Sequence, residues 1–197
     1  VLTDGRPRLV RYDSTAPEDA LIGLGLGCNG VVRILIERVR AEEIASGHSL
    51  IELVSSSRSI GERSALATVY NSNIQQEIGT CLFLRKKPAE ILASKPQVFG
   101  QIREELKNKI TTDLGELFKN GTSRSSQYQI EGRPVNVLLE IIDPPLAFTV
   151  CGAGPDAQPL VKLAADLGWA PVVYDHRAAF ARSDLFPNAH KVISGEK

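Results

Sequence analysis

Leu146-Ala-Phe-Thr-Val-Cys-Gly-Ala-Gly-Pro-Asp-Ala-Gln-Pro-Leu-Val-Lys-Leu-Ala-Ala-Asp-Leu-Gly-Trp-Ala-Pro-Val-Val-Tyr-Asp175 decides the fold of the C-terminal part of this chain. Residues 146–151 form an apolar run of the kind that fills a buried parallel strand. Gly152-Ala153-Gly154-Pro155-Asp156-Ala157 then matches G-x-G-x-x-A. Leu160, Leu163, Ala164 and Leu167 recur three or four apart and make a helical stripe, which Gly168 closes. Residues 170–174 read as a second strand, ending in Asp175. Asp175 lies 21 positions after Gly154, by subtraction of the residue numbers. The dinucleotide fingerprint places a ribose-gripping acid about 20 residues on. Strand, glycine turn, helix, strand and acid in that order predict the opening of a Rossmann-type parallel sheet.

The candidate cofactor-binding residues of this unit are Gly152, Gly154, Asp156, Ala157, Asp175 and Arg177. Amides at a helix start, helped by the helix dipole, hold phosphate groups. Pro155 has no N–H to give, and Asp156 sets a negative charge in the first turn. Asp156 therefore either repels an incoming phosphate or serves the helix and points away. Asp175-His176-Arg177 are either ribose and phosphate readers or a strand end with a local salt bridge.

Asp143-Pro144-Pro145 marks the domain boundary, because consecutive prolines enforce an extended connection. The expected class is α/β: an N-terminal α+β domain over 1–143, then the start of a Rossmann-type domain over 144–197. In the first domain the pattern predicts a strand at 6–12, a turn at 13–17, helix within 40–57, and strands at 64–70 and 78–84. A long helix is expected over 96–119, with Phe99, Ile102, Leu106, Ile110, Leu114 and Leu117 on one stripe. A polar loop is expected at 122–127, then two strands around 131–134. Residues 20–39 alternate glycine and leucine at Gly23, Leu24, Gly25, Leu26 and Gly27, then turn β-branched from Val31. Asn29-Gly30 between the two runs is a hairpin signal. Cys28 sits at that corner, either as a plain turn residue or as a thiol that small neighbours leave open to a ligand, a soft metal or a persulfide donor.

Bulk composition excludes several classes. Lys plus Arg equals Asp plus Glu at 23 each, so no net charge draws the chain to nucleic acid or an anionic membrane. No apolar run is long enough to span a bilayer. Three cysteines, with no C-x-x-C, suit a reducing cytoplasm better than a disulfide framework, and the three histidines form no zinc pattern. The chain begins at Val1 and holds no methionine, which points to flanking segments beyond these residues.

Two motifs resemble one family. Gly-Leu-Gly-Leu-Gly-Cys-Asn-Gly at 23–30, followed by Val-Val-Arg-Ile-Leu-Ile-Glu, resembles the first-domain signature of the xanthine dehydrogenase accessory proteins, XdhC/CoxI. Gly-Ala-Gly-Pro-Asp-Ala-Gln-Pro-Leu at 152–160, with Leu-Gly-Trp (167–169), Asp-His-Arg (175–177) and Leu-Phe-Pro-Asn-Ala (185–189), resembles that family's C-terminal Rossmann domain. The resemblance implies a cytoplasmic, dimeric accessory protein that binds molybdenum cofactor (molybdopterin) while it gains its terminal sulfur. It implies delivery to a xanthine dehydrogenase-type enzyme, with a cysteine desulfurase as second partner. Carried over, Gly27, Cys28, Asn29 and Gly30 lie at a cofactor-handling surface, and residues 152–157 hold a phosphate or nucleotide-like group. The family's earlier glycine-cysteine motif and its later Rossmann strands are not in the sequence, and Ala178 and Ala179 stand where relatives often carry proline. The residues alone leave two alternatives open: an NAD(P)-dependent oxidoreductase, or a scaffold whose Rossmann unit only mediates dimerisation.

Overall fold

A computed structural model describes residues 4–13, 30–39, 49–59, 61–85 and 95–195. The chain divides into two compact units, Val1–Asp143 and Pro144–Lys197.

The first unit is built on a five-stranded antiparallel sheet in the order β5-β4-β3-β7-β6. Its strands are β3 (Ser64–Asn71), β4 (Cys81–Arg85), β5 (Gln97–Phe99), β6 (Arg124–Ile130) and β7 (Arg133–Ile142). Helix α2 (Glu104–Asn120) packs on β3, β6 and β7. Leu106, Ile110, Leu114 and Leu117 are fully buried against Ala65, Ala67, Val69, Val135, Val137 and Leu139. Helix α1 (Leu50–Ser59) starts at a capping box: Ser49 Oγ accepts from the Glu52 N–H, and Glu52 accepts from the Ser49 N–H. Residues 40–48, the first part of the expected helical stretch, lie outside the described residues.

Strands β1 (Arg8–Asp13) and β2 (Val31–Ile36) pair antiparallel, with Asp13 opposite Val31 and Arg8 opposite Ile36. The expected hairpin at Asn29-Gly30 requires residues 20–27 as the partner of β2. Those residues lie outside the described ones, as do 14–17 of the expected turn. Within the described residues β2's partner is β1.

Two local expectations are corrected. The helix over 96–119 begins only at Glu104, and residues 97–99 form β5 instead. Gly100 adopts φ +110, and a side chain there would run into Thr80. Thr80 Oγ1 donates to the Gln101 carbonyl and accepts from its N–H, so the chain is held in a corner and cannot coil. The polar loop expected over 122–127 is strand from Arg124 onward. β6 is an edge strand, so its outward positions Ser125, Gln127 and Gln129 are polar and conceal the alternation with Tyr128 and Ile130. Glu131 and Gly132 link β6 to β7 with φ of +52 and +72, a type I′ turn.

A buried ion pair anchors the start of α2. Glu77, on the 3-10 turn Gln75–Glu77, accepts from Arg103 Nε at 2.8 Å, Nη2 at 2.9 Å and the backbone N–H at 3.1 Å, and from Ser72 Oγ at 2.6 Å. Burial alone would raise the Glu77 carboxyl, but Arg103 and Ser72 outweigh it and hold it below its ordinary range.

The second unit is a parallel sheet in the order β10-β9-β8: β8 (Ala147–Cys151), β9 (Ala170–Asp175) and β10 (Lys191–Ser194). Helix α3 (Ala157–Asp166) crosses from β8 to β9. The face it buries is not the leucine stripe. Ala157 and Val161 cluster with Ala153, Val173 and Phe186, and Ala164 is buried too, while Leu163 is 57% and Leu167 59% exposed. Two small alanines let the helix approach the sheet, which leaves the leucines on a neighbouring stripe.

Glu77→Ala should destabilise the first unit by about 3 kcal/mol, because it removes the buried carboxylate that accepts from the Arg103 fork, the Arg103 backbone and Ser72. Glu77 is depressed on folding, so its contribution is present above the ordinary glutamate pKa of about 4.3 and is lost as pH falls through the folded value. Thermal melts of both proteins from pH 7 to pH 3 check this, with the gap expected to close at the acid end. Gly132→Ala should lower stability by about 1 kcal/mol, since glycine alone takes this positive φ freely, and denaturant titration measures it.

Candidate functional site

The site stands where β8 and β9 end, and its chemistry begins with the backbone. Gly152 leaves β8 at φ +116, a conformation costly for other residues, and its N–H donates to the Tyr174 carbonyl at 2.8 Å. No heavy atom lies within 4 Å of the place a Cβ would take. At Gly154 the opposite holds: a Cβ would collide with the Asp156 carboxylate, which folds back over the turn. Asp156 makes no side-chain hydrogen bond capping the helix. Its charge therefore stands over the glycine turn, where a phosphate would approach.

Few amides remain for such a ligand. Pro155 and Pro159 have none. The Ala157 N–H donates to the Gly154 carbonyl at 3.0 Å, and the Gln158 N–H to that of Pro155 at 3.4 Å.

Asp175 ends β9 with its side chain turned inward. Oδ2 accepts from the Ala153 N–H at 2.8 Å and from Arg177 Nη2 at 2.8 Å. Oδ1 accepts from the Arg177 N–H at 2.8 Å and from Arg177 Nε at 3.0 Å. The carboxylate is 2% exposed, while Arg177 is half exposed and lies with its guanidinium 4.2 Å from the centre of the Phe180 ring. His176 Nδ1 is 3.6 Å from Oδ1. The Arg177 side chain and the two backbone amides hold the Asp175 carboxyl well below the usual carboxylate range, against the desolvation that would raise it.

The structure thus brings Gly152, Gly154, Asp156, Ala157, Asp175 and Arg177 together on one turn. Gly30 leads into β2, in the other unit, and Gly27, Cys28 and Asn29 lie outside the described residues. Sequence reading missed the Ala153 amide and the Phe180 ring. The first carries no side-chain signal; the second stands three residues after Arg177, within reach of a tight turn.

Residues 148–194 match the family model described as the XdhC Rossmann domain. That C-terminal stretch is similar to the XdhC Rossmann domain. Among curated proteins it is similar to one from Bacillus subtilis (strain 168) named as a probable xanthine dehydrogenase subunit, 26% identical over 186 residues. That alignment covers 94% of this chain and 48% of the relative. Among solved structures, a xanthine dehydrogenase of Bacillus halodurans superposes with a TM-score of 0.63 at 23% identity, over 98% of this chain and 48% of the other. This second likeness is one of fold. The chain therefore spans about half the length of these two proteins. Among the described residues no helix is long and apolar enough to cross a membrane, and no cluster of three or more metal-ligating side chains forms.

Asp175→Asn should loosen the glycine turn, because the amide that replaces one carboxylate oxygen offers donors to donors. Faster hydrogen exchange at the Ala153 amide and a lower melting temperature are the expected readouts. The Asp175 carboxyl is depressed in the folded chain, so its advantage over asparagine is full above about pH 4 and shrinks below it.

Proposed function

We propose that this chain belongs to the XdhC family and is part of an accessory protein for a xanthine dehydrogenase-type molybdenum hydroxylase, with the molybdenum cofactor as its cargo. The observation that carries the reading is the alignment. A protein named as a probable xanthine dehydrogenase subunit matches 94% of the chain, across both units, and the XdhC Rossmann domain occupies the C-terminal one. In this reading the protein is a cytoplasmic homodimer that receives the cofactor as a cysteine desulfurase supplies its terminal sulfur, then hands it to the hydroxylase.

The cargo is molybdopterin, whose anionic phosphate is the end that a basic strand end beside the turn can hold. Gly152 offers open backbone, and the half-exposed Arg177 and His176 stand at the neighbouring strand end. In the first unit the proposed contact is Gly27-Cys28-Asn29-Gly30, with Cys28 at the cofactor.

The Gly154-to-Asp175 spacing favours a second reading, an NAD(P)-dependent oxidoreductase. Against it, both oxygens of the acid that would grip the ribose are already engaged by Ala153 and Arg177.

Calorimetric titration of the protein with molybdenum cofactor and, separately, with NAD tests this reading. Cofactor binding that weakens on the order of tenfold in Cys28→Ala, about 1.4 kcal/mol, is expected. NAD binding without cofactor binding would overturn the proposal in favour of the oxidoreductase.

A further inference from the structure

We infer that Arg177 is a specificity lock: it turns the residue that would read a ribose into a clamp on the glycine turn, so the site rejects ligands that must present a ribose diol there. The inference follows from the geometry of this turn and does not depend on the molybdenum cofactor reading.

An ionised carboxylate has about four acceptor positions. All of those on Asp175 are matched by donors: the amides of Ala153 and Arg177, and Nε and Nη2 of the Arg177 fork. In a dinucleotide fold the corresponding acid accepts from ribose hydroxyls. Here a diol would have to displace the guanidinium first. It would exchange a bidentate ion pair, charged on both sides, for two hydrogen bonds in which only the carboxylate is charged. It would also strip Arg177 from the face of Phe180. The Asp175 carboxylate is 2% exposed, so a ligand has no way to bond it while the arginine is in place.

The lock has a release. Arg177 is 50% exposed and joins the clamp from the solvent side, whereas the Ala153 amide joins it from within the turn. Removing the fork leaves two backbone amides on the carboxylate and frees its other positions. The intact site suits a ligand that presents no diol at this point.

Calorimetric titration of the full chain with ADP-ribose tests the lock. Wild type should give no binding into the millimolar range. Arg177→Gln should bind at least tenfold more tightly, and Asp175→Asn added to it should abolish the gain. Circular dichroism and melting verify that the variants fold; if Arg177→Gln does not, Arg177→Lys, which keeps the charge but loses the fork, should show the gain in smaller measure. Wild-type binding as tight as the variant's overturns the inference. So does a folded Arg177 variant without a gain, or a gain that survives Asp175→Asn.

Discussion

One carboxylate organises the C-terminal unit. Asp175 ends the second parallel strand, and its two oxygens reach back to the first strand's glycine turn and forward to Arg177. A charge kept from water must be fully hydrogen-bonded to be tolerated. That requirement sets the path of the chain on both sides. The turn must bring the Ala153 amide to the acid, which Gly152 permits through its positive φ. The residues after β9 must fold so that Arg177 meets both oxygens, and Phe180 then supports the guanidinium. The turn keeps the outline of a nucleotide site, while its acid and much of its amide supply are committed to the protein itself.

The first unit uses the same solution for a different end. Glu77 is buried, bidentate to Arg103 and bonded to Ser72, and so pins the beginning of α2 beside β4 and β5. There the arginine lies largely inside and also reaches Glu131 and Asn73, which suits a structural joint. At Asp175 the arginine is on the outside, which suits a group that a ligand can meet. Two clamps of like composition thus differ in which partner faces solvent.

Much of the fold was legible because hydrophobic period and turn chemistry agreed. The strand, glycine turn, helix and strand of the second unit are read directly from residues 146–175. Leu106, Ile110, Leu114 and Leu117 gave the core helix, and Gly121 its left-handed end. Errors arose where long-range contacts overrode local pattern. Thr80 holds Gly100 and Gln101 in a corner that periodicity reads as helix. The edge position of β6 lets a polar sequence be a strand. On α3 the small residues, not the leucines, face the sheet, because close approach counts for more than hydrophobicity there. The candidate site was legible as a set of residues, and the structure gathers those of the second unit on one turn. What the sequence could not convey is that Asp175 faces inward, since that depends on a backbone amide, which has no letter of its own.

The central claim is that the Asp175 carboxylate is an ionised, fully occupied clamp. Carbon-detected NMR of the Asp175 side chain across an acid titration tests it most directly. The account predicts that this carboxyl stays ionised while ordinary aspartates protonate around pH 3.9, and that its protonation moves to higher pH in Arg177→Gln, where only the two backbone amides still hold it. A wild-type Asp175 that titrates with the ordinary aspartates would contradict it.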